Sequence, residues 1–214
     1  MSTSTRWTVA VMVVVVALGV ALWTQLGDQP SPAGPLGTGP ARDHRDADTA
    51  EALAGPRARA DLLPCPNGTG PGPEQLRGIT LECAGDGASV DVAKAIEGRP
   101  TVLNLWAYWC GPCAQELPAM AEYQRRAGSA VTVLTVHQDE NEEAALLRLA
   151  DLGVRLPTLQ DGRRLIAAAL RVPNVMPATV VLRADGSVAE VLPRSFASAD
   201  EIAAAVGPKI GVSG

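Results

Sequence analysis

Hydrophobic positions along the chain change their pattern twice. From Trp7 to Gly27 no residue is charged, and Val11–Val16 is valine throughout except for Met12. Such a run has no polar face to turn towards water, so it fits a soluble domain poorly. Twenty helical residues rise about 30 Å, the thickness of a hydrocarbon core. Trp7 and Trp23 then stand about 24 Å apart, near the interfaces where tryptophan is enriched. Residues 1–26 are therefore read as an N-terminal membrane anchor. A cleaved signal peptide is the competing reading, but its apolar region is usually shorter, and a cut at Gly19-Val20-Ala21 would fall inside the run. Between Gly27 and Pro40, eight of fourteen residues are Gly or Pro, a composition that buries no core. Residues 41–60 add charges of both signs, with room for a short helix near Thr49–Leu53. The whole of 27–62 reads as a flexible tether.

The third stretch, 63–210, has the length of one domain and the periodicities of a packed one. Ile79–Cys83 alternates apolar and polar positions, as a strand does, and Thr101–Trp106 and Ala130–Val136 read as buried strands. Pro112–Arg126 repeats Ala, Leu, Met and Tyr at helical spacing. Glu142–Leu152 is a helix with acids at its start, matching the dipole, and Arg163–Leu170 is a shorter one. Ala178–Leu182 and Val188–Leu192 form a hairpin about Asp185-Gly186. Ser198 caps a last helix, Ala199–Val206, ending at Gly207. The order β-α-β-α-(α)-β-β-α predicts an α/β fold whose central mixed sheet has a parallel and an antiparallel half.

Composition narrows the partners. A formal net charge of −5 and a pI near 5.1 exclude the basic face that nucleic acid requires. Aromatic residues make up 3%, so the core is built from Leu, Val, Ile and Ala. Lys94 and Lys209 are the only lysines among 18 positive residues, a bias expected of a GC-rich genome rather than of function.

The chemistry lies in four cysteines. Cys110-Gly111-Pro112-Cys113 falls at the junction of a buried strand and a helix, where orphan N–H groups and the helix dipole favour a thiolate on the first sulfur. One turn on, the second sulfur is in reach to resolve a mixed disulfide. Pro112 suits the first turn, where an N–H would have no partner. A zinc site would need a second CxxC or histidines at regular spacing, and the two histidines, His44 and His137, stand far apart. No metal or cofactor is expected. Cys65 and Cys83 enclose a loop rich in Gly and Pro, which a structural disulfide would stabilise by about 3 kcal/mol. A second redox pair is the alternative, but neither cysteine has a helix N-terminus beside it.

The run Leu103-Asn104-Leu105-Trp106-Ala107-Tyr108-Trp109-Cys110-Gly111-Pro112-Cys113 resembles the active-site signature of thioredoxin-fold proteins. Its continuation Ala114-Gln115-Glu116-Leu117-Pro118 resembles the TlpA/ResA-like branch of membrane-anchored thiol–disulfide oxidoreductases. The resemblance covers about residues 88–208. It implies a thioredoxin-like fold, a cis-proline facing the dithiol at Pro177 within Val175-Met176-Pro177-Ala178-Thr179, and substrate contacts at Trp109, Met176 and Pro177. Cytoplasmic thioredoxins carry a buried Asp where this chain has Asn104, which cannot titrate; the resemblance hands proton transfer to Glu116. It also implies exported protein substrates with disulfides or thiols, apocytochrome c among them, and a CcdA-like membrane electron donor. The domain would then face the extracytoplasmic side of the cytoplasmic membrane. The rival from another class is a non-catalytic copper- or haem-handling chaperone that uses the two thiols with Met176. Oxidation of exported thiols is the other direction open to the same dithiol.

Overall fold

The computed structural model describes residues 42–211. The expected anchor and the Gly/Pro-rich part of the tether lie outside the described residues. Among the described residues, no helix is long and apolar enough to cross a membrane.

Seven strands form one sheet in the order β2-β1-β5-β4-β3-β6-β7. They are β1 (Thr80–Cys83), β2 (Ser89–Asp91), β3 (Thr101–Trp106), β4 (Thr132–His137), β5 (Thr158–Gln160), β6 (Ala178–Leu182) and β7 (Val188–Leu192). Strands β3, β4 and β5 run parallel, while β6 and β7 on one side and β1 and β2 on the other pair antiparallel. The helices are α1 (Ala50–Ala60), α2 (Val92–Ala95), α3 (Gly111–Ala127), α4 (Glu142–Leu152), α5 (Leu165–Ala169) and α6 (Ala199–Ile210). This is a thioredoxin-like α/β fold, a mixed sheet with helices on both faces.

The two-residue period of β3 divides the core. Leu103 and Leu105 join Leu134, Val136, Val180 and Leu182 beneath Ile166 and Leu170 on one face. Val102 and Trp106 join Val133 and Val181 on the other, against Leu117 and Met120 of α3, Leu149 of α4 and Ile202 and Val206 of α6. Asn104 has the parity of Val102 and Trp106, so it points towards α3. Pro118 inside α3 has no N–H to give the helix and removes one of its hydrogen bonds. The last helix runs on through Gly207-Pro208 to Ile210, past the stop that the sequence suggests.

Residues 42–62 correct the tether reading. Thr49 caps α1, and Leu53 and Ala60 bury against Ala84 and Leu146. The segment before α1 is pinned by its backbone: Arg45 N–H donates to Glu140 O at 3.0 Å, and Gln160 Nε2 donates to Asp43 O at 2.8 Å. It crosses Gly162 so closely that a Cβ there would lie 2.4 Å from the carbonyl oxygens of Arg42 and Asp43. Arg57 bridges Glu82 on β1 and Glu142 on α4. The sequence reads as linker because the attachment uses ion pairs and a few small apolar contacts rather than an apolar stripe.

After α1 the chain returns to the sheet, and Cys65 is bridged to Cys83 at the end of β1. Cys83 is buried, and the bridge spans 18 positions. Replacing both cysteines with Ser is expected to lower the urea-unfolding free energy by about 3 kcal/mol, the closure entropy of a loop of this length. Mild dithiothreitol should leave this bridge intact while reducing Cys110–Cys113, which differential alkylation and mass spectrometry would read directly. An unchanged unfolding midpoint in the double variant would remove the stabilising role.

Candidate active site

The end of β3 delivers the dithiol. After Trp106 the chain turns, with Cys110 N–H donating to Ala107 O at 3.0 Å, and Cys110 becomes the N-cap of α3. Its Sγ accepts the Cys113 N–H at 3.2 Å. That contact is the one a thiolate would use, since backbone N–H groups at a helix start stabilise negative sulfur. Cys110 and Cys113 are joined as a disulfide. Cys110 is 6% exposed and Cys113 not at all, whereas Gly111 and Pro112 lie on the surface. An incoming thiol or disulfide therefore meets Cys110 first.

Glu116 sits one turn beyond Cys113, wholly buried. Its Oε2 accepts from Asn104 Nδ2 at 2.8 Å, and its Oε1 accepts from the Phe196 N–H at 3.1 Å. Burial pushes its carboxyl up to about 7, although those two hydrogen bonds pull the other way. A group poised near neutrality can both take and give a proton. Asn104 lies between Thr135 of β4 and Thr179 of β6 in the sheet register. It serves as the donor that orients this acid rather than as an acid itself.

The Met176–Pro177 peptide is cis. Pro177 immediately precedes β6, whose Ala178 pairs with Leu105, so the sheet brings this loop to the end of β3 that leads into the dithiol. Met176 is half-buried against the cluster that contains Cys110 and Cys113. Trp109 is 56% exposed, with its Nε1 donating to Asp139 at 2.9 Å. Val175, next to Met176 in sequence, is also exposed. Trp106 is fully buried in the same cluster as the cysteines. His137 is buried too: its Nδ1 is within 2.8 Å of Gln160 Oε1, its ring lies 5.0 Å from that of Trp106, and desolvation lowers its pKa. It is a neutral packing residue.

The sequence alone does not reveal the Phe196 N–H or Asp139. Phe196 reaches Glu116 across 80 positions, and no periodicity announces a backbone donor. Arg194 covers the Phe196 ring at 4.1 Å and holds that loop in place.

Fold and site together define a thioredoxin-fold domain with a CxxC disulfide at a helix start, its first cysteine the more exposed of the two, and a buried acid one turn beyond the second. The Redoxin family profile matches residues 64–202, and the chain belongs to that family. Over 98 residues it is 30% identical to the thiol-disulfide oxidoreductase ResA of Bacillus subtilis, covering 45% of this chain and 54% of that protein. Over 77 residues it is 43% identical to the thioredoxin of Rhodospirillum rubrum, covering 34% of this chain and 68% of the thioredoxin. The match to ResA thus spans little more than half of that relative. Among solved structures, a secreted Mycobacterium tuberculosis disulfide oxidoreductase homologous to E. coli DsbE superposes with a TM-score of 0.52 at 26% identity, covering 61% of this chain and 98% of the other.

Proposed function

We propose that the protein is a membrane-tethered, extracytoplasmic reductase of protein disulfides. The observation that carries this reading is the Cys110 Sγ at the start of α3, more accessible than Cys113, with a buried acid titrating near neutrality one turn beyond Cys113. The Cys110 thiolate attacks a substrate disulfide, forms a mixed disulfide and expels one substrate sulfur as a thiolate, which takes a proton from solvent. Glu116 takes the Cys113 proton. The Cys113 thiolate then attacks Cys110 Sγ, which releases the second substrate thiol and leaves the Cys110–Cys113 disulfide. The substrate gains two electrons and the dithiol loses two. The backbone before Pro177 would align the substrate strand, with Met176 and Trp109 as its apolar seat.

The Gly-Pro dipeptide between the cysteines is the thioredoxin one, which favours reduction. A Cys65–Cys83 disulfide fits an oxidising compartment, and the charge-free run at 7–26 fits an anchor to the membrane that faces it. Regeneration outside the cytoplasm then calls for a membrane electron donor of the CcdA-like kind, and apocytochrome c is one candidate substrate. Turnover of insulin disulfides with dithiothreitol tests the activity: acceleration over dithiothreitol alone supports it, and none would leave a thiol-binding chaperone. For the anchor, the native protein is expected to stay with membranes through a carbonate wash, while protease added outside releases the domain. A soluble form beginning after about residue 27 would make it a secreted protein whose apolar run is a signal.

A further inference from the structure

On β1, three strands across the sheet from the β3 that carries the dithiol, three ligating atoms converge. His44 Nε2 lies 3.4 Å from Glu82 Oε2 and 3.1 Å from Glu142 Oε2, and the three lie within 4.8 Å of one another. Ligands about 2.0–2.1 Å from a tetrahedral Zn²⁺ stand about 3.3 Å apart, close to both distances from His44. The carboxylates are oriented from behind: Arg57 Nη2 contacts Glu82 Oε1 and lies 3.0 Å from Glu142 Oε1, leaving both Oε2 atoms to face His44. The Arg57 Nε in turn donates to Ala84 O at 3.1 Å, so the clamp is itself fixed. Glu142 has no exposed side-chain surface, yet its Oε2 and the His44 Nε2 it faces lack a hydrogen-bond partner among the described residues. They are close enough for an ion pair but misaligned for a hydrogen bond. A wholly buried carboxylate oxygen left in that condition is costly. Asp43, beside His44, is paired with Arg163 at 3.9 Å, so Arg57 is left to face the two glutamates. A cleft of about 230 Å³, lined by Asp43, Thr80, Gly87 and Ser89, opens onto His44 and Glu82 and gives an entry path.

We propose that His44, Glu82 and Glu142 form a site for a divalent transition-metal cation, with Arg57 as the residue that positions both carboxylates. The site joins three separate parts of the chain: the segment before α1, strand β1 and the start of α4. A bound cation would therefore staple residues 42–62 to the domain. This does not depend on the redox chemistry proposed above, because no residue is shared. Imidazole and carboxylate donors suit Zn²⁺.

The test is calorimetric titration of ZnCl₂ into the full-length chain in detergent, with both disulfides formed so that no thiol competes. One equivalent is expected to bind, and the thermal midpoint should rise with zinc concentration. His44→Ala and Glu82→Gln should each weaken binding by at least about 10–100-fold, since even groups behind the ligands have effects of that size. Both side chains are partly exposed, and either variant carries the comparison if the other does not fold. X-ray absorption at the zinc edge should show one imidazole nitrogen and oxygen donors. No saturable binding at submillimolar zinc, wild-type affinity in both variants, or sulfur in the coordination shell would each overturn the proposal.

Discussion

Cys113→Ala is expected to accumulate mixed disulfides through Cys110, while Cys110→Ala traps almost none. Insulin turnover should fall to the level of dithiothreitol alone in both. The asymmetry follows from position. Cys110 caps α3, meets the Cys113 N–H and has what exposure the pair possesses, whereas Cys113 is sealed inside the cluster with Leu117 and Met120. Removing the inner sulfur leaves the attacker without its resolver, so the covalent intermediate persists. Removing the outer one leaves a thiol that is buried and lacks the helix-terminal N–H groups that favour a thiolate. Adducts purified from membranes under acid quench and separated on non-reducing gels would show the difference and supply the substrate for sequencing. Equal trapping by the two variants would contradict the assigned order of attack.

Glu116→Gln is expected to slow disulfide exchange by about 10–100-fold, at the lower edge of what positioned acid–base groups contribute. The pH dependence is more diagnostic than the rate. The carboxyl holds its proton up to about 7, so its service as a base switches on as pH rises through that value. The ratio of wild-type to variant rates should grow over the same interval, while the rise owed to thiolate formation is common to both and cancels. Stability should respond too. Between about 4.5, the ordinary value, and about 7 the folded protein keeps a proton that the unfolded chain has lost. Wild-type stability therefore declines as pH rises through this window, by up to about 3 kcal/mol. Chemical unfolding at pH 5 and pH 8 should show the decline in the wild type and a flatter response in Glu116→Gln. A constant rate ratio together with parallel stability profiles would reduce Glu116 to a packing residue.

Much of this site was readable before any coordinates, because it is local. The dithiol sits where a strong strand pattern meets a helical one, and β6, β7 and α4 fall where alternation and capping put them; the roles of the acid three positions on and of the proline before β6 were legible only through the family resemblance. What escaped was short or non-local. Strands β2 and β5 have three residues each, too few to show a period, and Thr158 and Gln160 are polar yet buried, with Gln160 bonded to His137 and to the backbone of Asp43. Helix α1 contains Gly55-Pro56 and buries only Leu53 and Ala60, so its sequence suggests a short helix at its start but not that it packs on the domain. Its partner makes the difference. Glu142 reads as an ordinary helix-start acid, but in the fold it is buried under Arg57 and His44. The donor that holds Glu116 from Phe196 is a backbone group 80 positions away, and no side-chain pattern encodes it.

The claim that the dithiol works as a reductant is tested most directly by its equilibrium potential. The full-length protein would be poised in dithiothreitol buffers of graded composition, quenched with acid, alkylated and scored by mass at Cys110 and Cys113. The account predicts a single two-electron transition with both cysteines moving together, half-complete near the thioredoxin value of about −270 mV, and Cys65–Cys83 unchanged throughout. A midpoint near the about −120 mV of a strong oxidant such as DsbA would contradict it.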